Sequence, residues 1–294
     1  MSLPSIAVIN FSPDLTDQDV QEAIRAVNWQ VTEDFIPIWG GGRTLRLHAA
    51  DFDPMDPDAL DEEQVQADSV MYLVDEATLP GALGYHDLNT SDMPLGFVFV
   101  LNPDDWTVTL SHEVLELIMD PTVNIFVPGP DPRDPNNLVL HTYEICDAVE
   151  RTSYKIDEID VSNFLTPNYF TIGEAPGTRN DFLGVGVTSF GVTQNSHIAF
   201  FNLSTGQFEV VFGQQAPPSS AAARRAELCD HAKPERPGDE ILQGILGSYK
   251  KKLHSKVAKL PRKWLPNLPA ITRTGRYQEA SQRIGSGIRP LTKA

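Results

Sequence analysis

Three short runs of almost uninterrupted apolar residues, SIAVINF (5–11), SVMYLVDE (69–76) and LGFVFVLN (95–102), constrain this chain more than any other feature. Each is short, apolar and rich in β-branched or aromatic residues, so each reads as a buried strand. The period changes after the first run. Val20, Ala23, Ile24, Val27 and Val31 recur at i, i+3, i+4, i+7 spacing, which predicts a helix capped by Thr16 or Asp17 and closed by Pro37 and Gly40–Gly42. TLRLHAAD (44–51) alternates as a strand does. After the third run, DDWTVTLSHEVLELIMDP (104–121) predicts a second helix, with Val108, Leu115, Ile118 and Met119 as its apolar stripe and Pro121 as its stop. Residues 122–140 crowd Pro128, Pro130, Pro132 and Pro135 together and predict a loop; 141–170 predict short strands and turns. SHIAFFNLSTGQFEVVFG (196–213) predicts a hairpin about STGQ. The acidic stretch 51–68 predicts a solvated loop, because it lacks the glycine and terminal glutamate of a calcium-binding loop. Together these elements predict an α+β domain over 1–213.

Charge divides the chain at the same boundary. Residues 214–294 hold 16 Lys and Arg against 6 Asp and Glu, a net of +10, which leaves −27 on residues 1–213 of a chain whose net charge is −17. This predicts an acidic body with a basic C-terminal extension joined by a linker, QQAPPSSAAARRAE. The acidic body should repel nucleic acid and anionic membranes; the extension could attract either, or an acidic protein surface. Cys146 and Cys229 are the only cysteines, so no disulfide framework is expected and a reducing compartment is the simple inference. With neither a signal-peptide pattern nor an apolar run of membrane-spanning length, the expected location is cytoplasmic, or within a virion or other assembly.

TLSHEVLELIMDP (109–121) carries the chemistry. On a helix His112 and Glu116 lie one turn apart on one face and can reach a single cation. Zinc accepts both imidazole and carboxylate, and a catalytic zinc takes three protein ligands and a water. Glu113, next to the first ligand, is placed to take a proton from that water as a general base. A third ligand is needed. YEICDAVE (143–150) offers Glu144 and Asp147 beside the apolar Ile145 and Cys146; His141 precedes it, and Asp120 reads better as a helix-end contact.

Six blocks in order resemble a family of predicted bacterial and phage zincin-like metallopeptidases that carry His-Glu-x-x-Glu in place of His-Glu-x-x-His. They are QVTEDFIPIWG (30–40), GALGYHDLN (81–89), PLGFVFV (94–100), LSHEVLELIMDP (110–121), YEICDAVE (143–150) and VSNFLTPNYF (161–170). The resemblance implies a zincin-like fold: a twisted mixed sheet, a backing helix and an active-site helix. It implies zinc at His112 and Glu116 with Glu113 as base, and a third ligand from Asp147 or Glu144, with Asp147 preferred. It makes GYHDLN an edge strand that pairs with an extended peptide, so that His86 faces the cleft. Tyr143 or Tyr154 could donate to a developing oxyanion, although packing explains both tyrosines as well.

Two functions follow. The first is a zinc peptidase acting on a peptide or protein. The second is a non-catalytic structural protein on the same scaffold, in a phage-like particle or other assembly, whose basic tail docks on an acidic neighbour. The tail could also cover the acidic body of its own chain, or bind lipid.

Overall fold

The computed structural model describes residues 4–48, 67–75, 82–88, 93–100, 105–173 and 175–213. The acidic stretch 51–66 and the basic extension 214–294, with the readings made of them, lie outside the described residues.

The three apolar runs become β1 (Ser5–Asn10), β3 (Ser69–Val74) and β5 (Pro94–Phe99). With β2 (Thr44–Leu47) and β4 (Gly84–Leu88) they form one mixed sheet in the order β2-β1-β3-β5-β4. The first four strands of that order are parallel, and β4 runs antiparallel on the edge beside β5. Parallel strands are covered on both faces, which is why their sequences are apolar throughout instead of alternating. Side chains still divide by parity. Ile6, Val8, Met71, Leu73 and Val98 pack toward the helices, while Ala7, Ile9, Val70, Tyr72, Leu95 and Phe97 form a second cluster on the opposite face.

Helix α1 (Asp17–Trp29) crosses over from β1 to β2. Thr16 caps it: its hydroxyl accepts from the Asp19 backbone N–H, and the Asp19 carboxylate accepts in turn from the Thr16 N–H. Val20, Ala23, Ile24 and Val27 form its buried face, as their spacing predicts. The helix continues as a π-helical turn, Gln30–Phe35, and then α2 (Ile36–Trp39), which ends at Gly40 in the left-handed region (φ 78°).

Helix α3 (Trp106–Met119) packs on the same side of the sheet as α1. Its core stripe differs from the expected one. Leu110, Val114 and Leu117 are fully buried beside Leu115, whereas Val108, Ile118 and Met119 are only half-buried. The reason is a second cover over the helix, the hairpin β8 (Ser153–Ile156) and β9 (Ile159–Ser162). Polar residues of α3 are therefore buried too. The Gln30 amide donates to the Ser162 carbonyl (2.8 Å), the Ser111 hydroxyl donates to Gln30 Oε1 (2.7 Å), and the Ser162 N–H donates to Ser111 Oγ (3.0 Å). This closed network ties the π-helical turn, α3 and β9 together with every partner satisfied.

The proline-rich stretch 122–140 is not a loop. It forms the hairpin β6 (Phe126–Asp131) and β7 (Asp134–Thr142), which joins β10 (His197–Asn202) and β11 (Gln207–Phe212) in an antiparallel sheet ordered β11-β10-β7-β6. The prolines are tolerated because β6 lies on the sheet edge and Pro135 stands at the start of β7. The turn between them is held by Arg133, whose guanidinium donates to both carboxylate oxygens of Asp131 (3.0 and 2.9 Å). The hairpin expected over 196–213 is present as β10 and β11. No helix among the described residues is long and apolar enough to cross a membrane.

Candidate metal centre

Three elements meet over α3: the edge strand β4, the segment 143–150, and the start of β10. The helix supplies His112, Glu113 and Glu116. Segment 143–150 is docked on it by the Cys146 N–H, which donates to Glu116 Oε1 (2.9 Å), and on its other side by the Leu165 N–H, which donates to the Ile145 carbonyl. A 3-10 turn, Asp147–Val149, then aims Asp147 back at the helix.

His112 Nε2 lies 3.1 Å from Glu116 Oε2 and 3.3 Å from Asp147 Oδ1. Two ligands of a tetrahedral zinc stand roughly 3.4 Å apart, given bonds near 2.0–2.2 Å, so these spacings suit one ion. Donor atoms of His112, Glu116 and Asp147 all fall within 4.8 Å of one another. Of the two acids expected as a third ligand, Asp147 is the one that lies with His112 and Glu116. Glu144 joins a different group, with His86 and Glu116.

Glu113 points toward the edge strand. His86 Nδ1 lies 3.5 Å from Glu113 Oε2, and His86 Nε2 lies 3.7 Å from Glu144 Oε2. Gly84 leaves the room for this: a Cβ there would come within 2.8 Å of Glu113 Oε1. His86 does sit over the acidic helix face, pinned in β4 opposite Gly96.

Sequence reasoning missed His197 and Glu150. His197 Nε2 stands 3.3 Å from Asp147 Oδ2, and its Nδ1 stands 3.5 Å from Glu150 Oε2. Asp147 and Glu150 share one face of a 3-10 turn, a spacing visible in YEICDAVE; nothing in the sequence links His197, fifty residues on, to either.

The electrostatics follow from burial. Desolvation opposes charge on every group here. For the Glu113 and Glu144 carboxyls it wins and pushes their pKa values up, Glu144 strongly, against the pull of neighbouring histidines. For the histidines the carboxylates win. Glu144 and Glu113 push His86 up to about 10, and Glu116 with Asp147 holds His112 well above the ordinary imidazole value. Despite burial, Asp147 is kept below the usual carboxylate range by His197 and His112.

Other candidates fall elsewhere. Asp120 accepts from the Asn124 and Ile125 N–H groups (3.1 and 2.8 Å), a helix-end contact as expected. The Tyr143 ring packs against Phe170 and Trp39. The Tyr154 hydroxyl donates to Asp34 Oδ2 (2.6 Å). His141 is not a ligand: it is buried among Phe190 and Phe200, and its Nε2 lies 2.9 Å from the Pro130 carbonyl. Burial lowers its pKa, with the Pro130 carbonyl and Asp131 pulling the other way. The unfolded chain therefore takes up a proton near pH 6.5 that the folded chain refuses, so this contribution to stability is present above that pH and lost below it. Asp131, whose pKa is lowered by Arg133, acts with the same sign but only near and below pH 4. His141→Gln should flatten the fall in Tm between about pH 7.5 and 5.5; an unchanged slope would remove His141 from the account.

Comparison of the chain with protein-family models, curated proteins and solved structures gave no match.

Proposed function

We propose that this chain is a metal-dependent peptidase on a zincin-like scaffold, with zinc held by His112, Glu116 and Asp147 and with Glu113 as general base. The observation that carries the reading is the convergence of one imidazole and two carboxylates at 3.1 and 3.3 Å, with Glu113 beside them in the helix. Bound there, zinc would supply a Lewis acid and bring the pKa of a coordinated water toward neutrality.

The rest is the work of the chain. Glu113 takes a proton at a carboxylate oxygen, and its raised pKa suits a group that must hold the proton and give it up again. His86 Nδ1 faces Oε2 of that carboxylate and orients it. β4 ends the sheet order, so its outer edge has no strand partner among the described residues and can pair with an extended peptide. Both features favour an extended peptide substrate laid along the cleft.

Metal content divides this reading from that of a non-catalytic assembly protein. Purified full-length chain should carry zinc measurable by mass spectrometry. His112→Ala and Asp147→Ala should each lower affinity by at least about 10–100-fold with unchanged circular dichroism. A metal-free chain indifferent to both substitutions would leave the assembly reading in front.

A further inference from the structure

We propose that His86, Glu144 and Glu116 form a second divalent-cation site, sharing the Glu116 carboxylate with the His112–Glu116–Asp147 centre and making the cleft a two-metal site. The inference rests on the metal reading above, because Glu116 is common to both sites.

Three independent elements supply the donors: β4, α3 and the segment before Asp147. Their donor atoms lie within 4.8 Å of one another. The His86 side chain is only 4% exposed, yet its Nε2 has no hydrogen-bond partner, and neither has the buried Glu144 Oε2 facing it. A buried polar atom without a partner carries an uncompensated desolvation cost, so two facing each other call for a third party. They stand 3.7 Å apart. A charge-assisted hydrogen bond would close to about 2.8 Å, whereas two ligands of one ion stand roughly 3.4 Å apart. The other ring nitrogen explains the orientation. With Nδ1 facing Glu113, Nε2 is the nitrogen left for a cation, which would bind it in place of a proton, the usual arrangement of a ligating imidazole.

Charge argues the same way. Glu113, Glu116, Glu144 and Asp147 have no Lys or Arg ion pair among the described residues; the nearby guanidinium of Arg151 pairs with Glu150 instead.

The test uses the untagged full-length chain, stripped with chelator, refilled with zinc alone and counted by mass spectrometry. Two zinc per chain are expected. His86→Asn and the near-isosteric Glu144→Gln should each retain one, with Tm and circular dichroism reporting the fold. Refilling with manganese should give the exchange-coupled spin resonance spectrum of a bridged pair, lost in both variants. Wild type that saturates at one zinc, lost in His112→Asn but kept in His86→Asn, would overturn this inference and leave the peptidase reading standing. Wild type that takes up no zinc would overturn both. A second zinc that survives His86→Asn but is lost in His197→Gln would move it to the Asp147–Glu150–His197 group and also overturn the proposal.

Discussion

Glu113→Gln is expected to lower kcat/KM for cleavage of a fluorogenic peptide library by about three orders of magnitude, while zinc per chain stays unchanged. Gln fills the same volume and can still bond His86, so the fold and the neighbouring His112–Glu116–Asp147 donors are preserved. What it cannot do is accept a proton. The carboxylate is well suited to the task, because it is buried and its pKa is raised by that burial, so the proton it takes is one it can hold. The two readouts separate its role from that of its neighbour. Removing His112 should abolish activity by removing metal; removing the Glu113 charge should abolish it with metal in place. Activity within a few-fold of wild type in Glu113→Gln would end the assignment of the base.

The pairing of His112 with Glu116 was legible in the sequence, because helical periodicity alone puts residues 112 and 116 on one face. The burial of that face was not. The expected stripe of Val108, Leu115, Ile118 and Met119 covers one side of the helix only. The fold adds a second cover by laying β8 and β9 over α3, a contact between segments fifty residues apart that no local pattern encodes. Proline in 122–140 misled for a related reason. Proline forbids a central strand but allows an edge, and whether a strand is an edge is a property of the sheet and not of the segment. The parallel strands were the easiest to read, since burial on both faces writes an unbroken apolar run into β1, β3 and β5. The candidate site was legible as far as its residues lie within one helix or one turn. His112, Glu116 and the acidic pair of YEICDAVE have that locality; His197 reaches Asp147 only through the pairing of β10 with β7.

Gly84→Ala should separate the edge strand's part in the site from its part in the sheet. A Cβ at Gly84 would sit 2.8 Å from the Phe97 carbonyl oxygen, 2.8 Å from Glu113 Oε1 and 2.8 Å from Thr109 Cγ2. The carbonyl belongs to the neighbouring strand and cannot turn aside, so either β4 lifts from α3 or Glu113 is displaced. Overpacking of this kind costs about 1–3 kcal/mol of stability. A base moved by about 1 Å costs roughly a further 100-fold in rate, an effect that stabilising the fold elsewhere would not recover. Gly96→Ala on β5 is the control. Its Cβ would meet Met71 Cε and Sδ at 2.7 Å, the far end of a flexible side chain that can repack, and the Tyr85 carbonyl oxygen at 3.3 Å, a contact relieved by a few tenths of an ångström. The expected result is therefore a smaller loss of Tm in Gly96→Ala with activity close to wild type, against a large loss of activity in Gly84→Ala at temperatures where both remain folded. Equal activity in the two variants would mean that Glu113 does not depend on the space Gly84 leaves, and the edge strand would then be a substrate-pairing element with no part in placing the base.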